Sequence, residues 1–434
     1  MSTARLADDD TIVLGAAATD ITPAHPVELA GFATRSGRRS GIRSRLELQA
    51  FAFADAVLVC ADLLWWGPDV ADRLRDEIAE RHGLRRSAVL LHASHTHSAP
   101  MPGLTFSPSI GAGDPDYLRQ LERLAHTAID RAMADRRPVW VFRGTGVARI
   151  GMSRRRKNSD GSIGGADPTA PVGQDVTVVR FQDVATQRTR ALLVHYACHP
   201  VITDDRQVSA DYPGALRRQL RDSGSVVGFL QGCCGDVDPA LLTADGEFRR
   251  GDTGDVDRLG GILAAAARTA VDSATQLGGN PSGSTRIAET ATVSRERAVP
   301  LPLQRPTDSD LAAVHDADTI WGDWSRRLAE RPTLPDDIDC TLNLLQPIAG
   351  LALLGIDAEI TAPYAQWLRQ RHGDQVIPLA YTNGMIGYIC TAEQIADGGY
   401  EPAHSYPYIY RPGQLDPHTQ HRLTTAIDSI LLEA

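Results

Sequence analysis

The sequence predicts an α/β protein in which twisted, mixed β-sheets are flanked by helices. Short apolar runs at residues 56–60 and 88–91 have the length and composition of buried strands. Between them, residues 69–82 place apolar side chains at helical spacing, and Gly83 follows as a stop signal. Strands and amphipathic helices that alternate along the chain are typical of this fold class.

The same two patterns continue to the C-terminus. Further strands are predicted at residues 11–15, 46–53, 138–142, 176–181, 191–197, 226–230, 352–356, 377–380 and 386–391. Further helices are predicted at residues 114–136, 213–222, 254–276 and 417–432, and one more helix, after the strand at 352–356, ends near residue 371. Residues 153–175 form a polar loop whose basic run is more often solvated than a binding site. Residues 300–340, rich in proline and with Trp321 and Trp324 among charges, are predicted to form an inserted helical hairpin or lid.

The composition excludes several classes of function. The chain of 434 residues is 42% hydrophobic and 23% charged, as in soluble globular proteins, and its net charge of -10 argues against nucleic acid or an anionic membrane as partner. No N-terminal signal segment or membrane-spanning run is visible. The six cysteines lack CxxC spacing, which favours reduced, buried thiols. We therefore expect a cytoplasmic protein that acts on a small molecule without membrane insertion, with homo-oligomer formation left open.

A pair of histidines follows the apolar run at residues 88–91. His95 and His97 are two positions apart, so on a strand their side chains would point the same way. Imidazole is the commonest protein metal ligand and titrates most easily near neutral pH. The pair therefore predicts a metal or acid/base site at a strand end, although histidines beside a turn can also be merely solvated or hydrogen-bonded.

Other potential ligands stand at the ends of distant predicted strands. His199 follows the strand at 191–197, Asp238 lies in a glycine-rich turn after the strand at 226–230, Glu359 follows the strand at 352–356, and Tyr388 lies on a later strand. Side chains at strand ends can converge on one edge of a sheet, where α/β proteins place their sites.

Several short strings, taken together and in order, resemble the neutral/alkaline non-lysosomal ceramidase family. They are His95-Thr96-His97-Ser98-Ala99-Pro100, Cys198-His199-Pro200, Ser209-Ala210-Asp211-Tyr212-Pro213-Gly214, Gly235-Asp236-Val237-Asp238-Pro239, Thr382-Asn383-Gly384, and Tyr388 through to Tyr400-Glu401. The resemblance spans nearly the whole chain. It implies a single ceramidase-like catalytic domain over residues 1–434, without the family's C-terminal immunoglobulin-like domain.

The resemblance also implies a zinc site and its surroundings. The metal ligands of the family fall on His95, His199, Glu359 and Tyr388. The groups that line the reaction centre fall on His97, Arg154 and Tyr400, but the family's asparagine before the arginine is Ser153 here, which leaves Arg155 as an alternative to Arg154.

The chemistry of this ligand set agrees with a catalytic zinc. Imidazoles and one carboxylate leave room for water or a carbonyl group, and zinc lowers the pKa of bound water to about 7. A rival thiolate set would use Cys198, Cys233 and Cys234, but adjacent cysteines project poorly onto one metal. His92 and His195 are expected to orient ligands or to be hydrogen-bonded core residues.

One departure from the family concerns the reaction itself. The family's nucleophilic serine is Asp238 here, and a carboxylate is a poor acyl acceptor in amide cleavage. We expect water to attack directly, with Asp238 as general base, His97 as proton donor to the leaving amine, and Tyr400 or Arg154 stabilising the oxyanion. The alternative for Asp238 is that it closes its turn or orients a ligand histidine.

The predicted function is therefore a zinc-dependent hydrolase that cleaves a C–N amide bond in a small soluble acyl-amine, and long-chain ceramide is disfavoured. A zinc enzyme of another type, such as a cyclase, lyase or amide-forming enzyme of a biosynthetic pathway, is the alternative, because a fold does not fix the reaction. A catalytically silent, metal-stabilised binding protein is the third hypothesis. A purely structural zinc would not need His97, an arginine and Tyr400 beside it.

Overall fold

The computed structural model describes residues 11–104, 106–221, 224–278 and 292–433. Its strands are β1 (Thr11–Asp20), β2 (Gly41–Ile42), β3 (Glu47–Ala52), β4 (Val57–Ala61), β5 (Val89–Ala93), β6 (Arg137–Val147), β7 (Gly151–Ser153), β8 (Asp175–Asp183), β9 (Thr189–Tyr196), β10 (Gln207–Val208), β11 (Val226–Gln231), β12 (Val237–Pro239), β13 (Thr275–Gln276), β14 (Val293–Gln304), β15 (Asp337–Ile348), β16 (Leu351–Ile356), β17 (Glu359–Ile360), β18 (Val376–Leu379), β19 (Tyr388–Ile389) and β20 (Gln414–Leu415).

The α-helices lie between these strands. They are α1 (Pro68–His82), α2 (Pro115–Ala134), α3 (Asp211–Leu220), α4 (Thr253–Asp272), α5 (Asp308–Val314), α6 (Ile320–Ala329), α7 (Ala362–His372), α8 (Ala392–Asp397) and α9 (His418–Leu432). Among the described residues, no helix combines the length and apolarity needed to cross a bilayer.

Two mixed sheets carry the fold. The larger has nine strands in the order β11-β9-β8-β6-β1-β3-β4-β5, with β13 paired to β6, and the smaller has five in the order β18-β16-β15-β14-β20. Apolar side chains of both sheets form one shared core, including Phe51 and Val141 from the larger sheet and Leu353 and Leu379 from the smaller. Helices α2 and α4 pack on the larger sheet, and α9 packs on the smaller. The α/β fold of twisted mixed sheets flanked by helices, predicted from the sequence, is confirmed.

Alternation along the strands explains how one sheet buries both of its faces. In β3, Leu48 and Ala50 enter the core that includes α2, whereas Phe51 enters the core between the two sheets. Successive side chains of a strand point to opposite faces, so a sheet with helices on one side and a second sheet on the other needs apolar residues at every position.

Some predicted boundaries differ from the structure. The helix predicted at 254–276 ends at Asp272, because Thr275 and Gln276 pair with β6 as a short strand. The helix predicted at 213–222 runs from Asp211 to Leu220. Within residues 300–340, α5 and α6 lie between β14 and β15, which pair directly with each other from Val293 to Pro302.

The strand expected to carry the histidine pair ends too early to do so. β5 stops at Ala93, and His95 has φ = 66°, in the left-handed region. The reason given for the common orientation of His95 and His97, alternation along a strand, is therefore wrong. A turn after the strand, and not the pleat, brings the two rings together.

A buried chain of amides fixes this turn to the smaller sheet. The Leu91 N–H donates to Asn383 Oδ1 at 2.7 Å, Asn383 Nδ2 donates to Asn343 Oδ1 at 2.8 Å, and Asn343 Nδ2 donates to Glu296 Oε2 at 2.8 Å. Buried polar groups that are fully paired specify one arrangement of their segments. The end of β5 is thereby held against β14 and β15.

Candidate metal and catalytic site

Three imidazoles converge beyond the ends of β5 and β9. His95, His97 and His199 each offer a ring nitrogen, and these atoms all lie within 4.8 Å of one another. The Nε2 atoms of His95 and His97 are 3.1 Å apart. Side chains from two distant segments therefore meet at one edge of the larger sheet.

The other nitrogen of each ring is held by a backbone carbonyl. The Nδ1 atoms of His95, His97 and His199 lie 2.8, 3.0 and 3.2 Å from the carbonyl oxygens of Leu64, Gly31 and Val237, respectively. A carbonyl oxygen can only accept a hydrogen bond, so Nδ1 carries a proton in each ring, and Nε2 is the nitrogen that faces the cluster and can bind a cation when it is not protonated. Metal-binding histidines are oriented in this way.

Glu359 brings a carboxylate to the same point. Its Oε2 atom lies 3.4 Å from His95 Nε2 and 3.5 Å from His199 Nε2. Burial opposes ionisation, but the two histidines hold the pKa of Glu359 well below its usual range. His199 Nε2 is buried and forms no hydrogen bond with the described residues. Converging lone pairs and a carboxylate make a position that suits a cation.

The histidines differ in their pKa values. Burial lowers the pKa of His95 and holds that of His97 well below its usual range, which keeps both rings neutral. For His199, burial is outweighed by the neighbouring Cys234 and Glu359, and its pKa is raised to about 10. A proton on His199 supplies the positive charge that a bound metal ion would otherwise supply.

Tyr388 reaches the site beside Glu359. The two residues face each other where β17 and β19 pair in parallel. The Tyr388 hydroxyl oxygen accepts a hydrogen bond of 2.9 Å from Arg154 Nη2. Burial and the neighbouring Glu359 raise the pKa of Tyr388 well above its usual range, so a phenolate here would need the charge of a metal ion.

Arg154 organises one side of the site. Besides Tyr388, it donates to Glu401 Oε1 at 2.8 Å, to Asp238 Oδ1 at 3.0 Å and to the Gly235 carbonyl oxygen at 2.8 Å. A planar guanidinium held by this many acceptors cannot swing away without breaking several bonds. Its position is therefore fixed before any ligand binds.

Arg155 takes a different place. It pairs with the second oxygen of Glu401 and donates to the carbonyl oxygens of Gln394 and Gly398 at 3.2 and 2.8 Å. The structure thus places Arg154, and not Arg155, beside the ligand cluster. The expectation that this basic run is solvated is wrong for both residues, because their side chains are only 18% and 7% exposed.

Asp238 lies beside His199 but not on the side where the imidazoles converge. Its Oδ1 atom is bound by Arg154 and lies 3.7 Å from His199 Nδ1, the nitrogen that faces away from the cluster. Burial is outweighed by Arg154 and His199, and the pKa of Asp238 is lowered. Because Oδ1 is already bound by Arg154 and lies beside the outer nitrogen of His199, these contacts favour an orienting role for Asp238 over the general-base role.

A recess of about 240 Å³ opens above the cluster. His97, Glu359, Tyr388 and Tyr400 line it together with largely apolar neighbours: Gly31, Phe32, Ala33, Thr34, Leu64, Trp65, Ile110, Gly387, Ser405, Tyr408 and Ile409. Tyr400 starts a single π-helical turn at Tyr400–His404 and is 45% exposed. Such turns occur often at functional sites because they redirect a side chain.

Tyr381 belongs to the site but was not singled out from the sequence. Its ring stacks on His95 with centroids 3.9 Å apart, and its hydroxyl donates to Glu359 Oε2 at 3.5 Å. It also lies 3.1 Å from Cys234 Sγ. Tyr381 directly precedes the Thr382-Asn383-Gly384 string, and its left-handed φ of 54° is not visible in the sequence.

The remaining histidines and cysteines lie around the site. His92 Nε2 accepts a hydrogen bond from the Gln231 N–H at 2.8 Å, and His195 Nε2 donates to the Pro378 carbonyl oxygen at 3.1 Å, so both are hydrogen-bonded core residues. Cys198, Cys233 and Cys234 are buried free thiols. Within the described ranges, the imidazole cluster is the one group of three or more such ligands, and the cysteines do not form a second.

The donor set fits a metal ion. Neutral imidazole nitrogens, a buried carboxylate oxygen and the unpaired His199 Nε2 converge, and each ring is oriented by a backbone carbonyl. A solvent-reachable recess on one side leaves room for a further ligand. A buried cluster of this kind at a sheet edge defines a candidate metal-dependent active site.

Comparison with known proteins agrees with this class. The family model for the neutral/alkaline non-lysosomal ceramidase N-terminal domain matches residues 12–256. Among solved structures, the neutral ceramidase from Pseudomonas aeruginosa superimposes with a TM-score of 0.73 at 20% identity, covering 96% of this chain and 74% of that one. A ceramidase complexed with C2 gives a TM-score of 0.72 at 19% identity, with 95% and 73% covered. A search of curated protein sequences gave no significant match.

The chain therefore belongs to the neutral/alkaline non-lysosomal ceramidase family. Membership of this family supports a hydrolase. The resemblance found in the sequence is confirmed, and the structural neighbours show the same fold.

Proposed function

We propose that this protein is a zinc-dependent hydrolase that cleaves the C–N amide bond of a small soluble acyl-amine with water as the attacking group. The observation that carries the proposal is the convergence of three imidazole Nε2 atoms and the Glu359 carboxylate at the base of a recess. Neighbouring lone pairs repel one another unless a cation lies between them, and N/O ligand sets of this kind suit zinc.

His95, His199, Glu359 and Tyr388 would hold the zinc ion. When bound, zinc would polarise the amide carbonyl and lower the pKa of water. The two rings and the carboxylate are already oriented by hydrogen bonds within the protein.

His97 is the proton carrier in this proposal. It is neutral, its Nδ1 atom donates to Gly31, and its Nε2 lone pair points towards His95 and lines the recess. A neutral imidazole can accept a proton from the attacking water and then give it to the leaving amine. This single residue replaces the base and acid pair that the sequence assigned to Asp238 and His97.

Tyr400 and Arg154 stabilise the negative charge that develops on the carbonyl oxygen. The Tyr400 side chain is half-exposed in the recess, and the Arg154 guanidinium carbon lies 5.7 Å from the centre of its ring. Donors that are fixed before the reaction lower its barrier because they need no reorganisation. Asp238 acts as a positioning residue, since it holds Arg154 from the side opposite the recess.

The recess favours a short acyl group. Its volume of about 240 Å³ is below the roughly 300–1,000 Å³ typical of pockets for drug-sized ligands, and Phe32, Trp65 and Ile110 give it apolar walls. A small amide with a short apolar acyl chain fits these dimensions.

The test is release of free amine from a panel of short acyl-amines, followed by mass spectrometry. We expect amine release that stops with a chelator and returns when zinc is added back. A His97→Gln variant should keep its zinc and lose activity by roughly 10²–10⁴-fold. Conversion of substrates to cyclised, eliminated or newly acylated products, without amine release, would instead support the non-hydrolytic zinc enzyme.

A further inference from the structure

A second and larger cavity lies next to the recess. It has a volume of about 600 Å³ and is built from α6 and the segment after it, together with residues 385–386 and 409–412. Arg327, Glu330, Arg331 and Arg411 are the charged residues in its lining. Three of these four side chains are cationic.

Arg411 is buried, and no carboxylate of the described residues forms an ion pair with it. The side chain is 2% exposed; its Nε atom donates to the Gly413 carbonyl oxygen at 2.9 Å, and Nη1 donates to those of Ile386 and Tyr388 at 3.3 and 3.2 Å. Nη2 is buried and has no hydrogen-bond partner among the described residues. A guanidinium carries five N–H donors, so both hydrogens of Nη2 are unsatisfied.

This arrangement is costly unless a ligand completes it. The side chain remains charged at neutral pH, because a guanidinium is not deprotonated in proteins. The described residues place no carboxylate in ion-pair contact with it, whereas other buried arginines of this chain, such as Arg154 and Arg217, have one. Buried charges are normally paired, and an unpaired one marks a place where an anion is stabilised.

The other cationic residues of the cavity are placed to assist. Arg331 donates to the Tyr410 carbonyl oxygen at 3.1 Å and forms no ion pair in the described structure. Arg327 lies over the Tyr410 ring at 4.1 Å and pairs with Asp323 at 3.3 Å. Glu330 is the one acidic residue in the lining, so the cavity carries an excess of positive charge.

The cavity adjoins the proposed reaction centre. Ile409 lines both the cavity and the recess. Phe106 of the cavity packs edge-on against Trp65 of the recess, with ring centroids 5.9 Å apart. Arg411 bonds the backbone carbonyl of Tyr388, whose side chain lies in the recess. The two spaces are therefore direct neighbours.

We infer that this arginine-lined cavity receives the anionic end of the substrate, a carboxylate or phosphate, while the amide bond lies in the recess. Only the placement of the amide bond in the recess rests on the proposed function. Anion binding in the cavity does not, because it can be measured without turnover. It narrows the substrate class to acyl-amines that carry an acidic group on a short linker.

Binding is tested first, by isothermal titration calorimetry on the full-length His97→Gln variant, so that turnover does not contribute heat. The ligands are N-acetyl-4-aminobutyrate, its neutral amide N-acetyl-4-aminobutanamide, and N-acetyl-3-aminopropyl phosphate. We expect at least one of the two anions to bind roughly tenfold or more tightly than the neutral amide, the effect of one charge-assisted hydrogen bond. The stronger of the two anions identifies the acidic group.

Variants then locate the binding. Arg331→Gln and Arg411→Gln should weaken anion binding by about fivefold to tenfold and leave binding of the neutral amide unchanged. Arg326→Gln is the matched control, because Arg326 lies on α6 shortly before Arg331, donates to the His315 carbonyl oxygen and does not line the cavity. If Arg411→Gln fails to fold, Arg331→Gln still decides the question.

Equal binding of all three ligands would overturn the inference, as would equal effects of Arg331→Gln and Arg326→Gln. Turnover by the enzyme with native His97 separates the two proposals. Anion binding without amine release from any amide would support the anion site and contradict the proposal that the protein is an amidase. Amine release with no preference for the anionic amides would keep the amidase and reject the site.

Discussion

His95 and His97 present their Nε2 atoms to each other at 3.1 Å, while the Nδ1 atom of each ring donates to a backbone carbonyl. Neither ring can turn to relieve this contact without losing its hydrogen bond. The site is thus held in a geometry that a cation or a shared proton stabilises.

Metal content should follow the proposed ligand set. His95→Ala and His199→Ala should each lose nearly all zinc, because each removes a nitrogen that the protein holds in place. Glu359→Gln should lose less, since the amide still offers an oxygen. Elemental analysis of purified variants measures this. His126→Ala, which alters a partly buried histidine of α2 that contacts Glu77, is the control, and full zinc occupancy in His95→Ala would contradict the assignment.

Gly31→Ala should impair the reaction without removing the metal. A Cβ at residue 31 would lie 2.5 Å from His97 Nδ1, and φ there is +108°. We expect kcat to fall by tenfold or more, about the effect of displacing one proton-transfer group, with zinc retained. Gly83→Ala is the matched control, because Gly83 also has positive φ but open space around it. Similar losses in both variants would show that backbone strain alone is responsible.

Asp238→Asn distinguishes an orienting carboxylate from a general base. Because Asp238 Oδ1 bonds Arg154 and faces away from the imidazole cluster, we expect zinc to be retained and kcat to fall by no more than about tenfold. Arg154→Gln should cost on the order of 10²-fold or more, as loss of an oxyanion donor does. A hundredfold loss in Asp238→Asn, with zinc in place, would restore the general-base role.

Long-chain ceramide should be a poor substrate. The recess of about 240 Å³ is small, and the resemblance of the sequence predicts Asp238 in place of the family's nucleophilic serine. Steady-state kcat/KM for ceramide and for short acyl amides, measured in the same detergent, checks this. Comparable values for both would refute the small-substrate proposal.

The buried pair of Asp62 and Arg217 should dominate the stability of the loop after β4. Both side chains are fully or almost fully buried, and Arg217 Nη1 donates to Asp62 Oδ1 at 2.8 Å. Asp62→Ala removes both hydrogen bonds of the buried guanidinium to Asp62 and leaves it only the 3.8 Å contact with Glu47, so it should lower the free energy of unfolding by about 3–5 kcal/mol. Asp257→Ala, which removes the exposed partner of Arg218, should cost no more than about 1 kcal/mol in the same urea titration.

The sequence located the site better than it explained it. Short apolar runs predicted the strands whose ends lie near His95, His199 and Glu359, because such a run is a local property of the sequence. It misassigned the turn at His95, since a left-handed φ in a histidine leaves no pattern in composition. Tyr381 was missed because its stacking on His95 joins residues far apart in the chain.

The basic run at residues 154–157 shows the same limit. Local composition favours solvated side chains, and only the partners contributed by distant segments decide otherwise. Glu401 forms ion pairs with both Arg154 and Arg155, so a single carboxylate from a distant segment allows both arginine side chains to be largely buried. Which of the two arginines lies beside the imidazole cluster depends on this long-range contact, and the spacing of residues in the sequence does not reveal it.

The helices α5 and α6 leave the smaller sheet and return to it where β14 and β15 are already paired, with Pro302 opposite Asp337. Because β14 and β15 pair directly up to the point where the segment with α5 and α6 begins and ends, the length and side chains of that segment can change without altering the register of the sheet. Replacement of α6 is therefore a practical route to new selectivity, because it would remodel the arginine-lined cavity while the imidazole cluster, built on the other sheet, stays as it is. On the proposals above, the substrate preference of this chain can be changed without changing the residues that carry out the reaction.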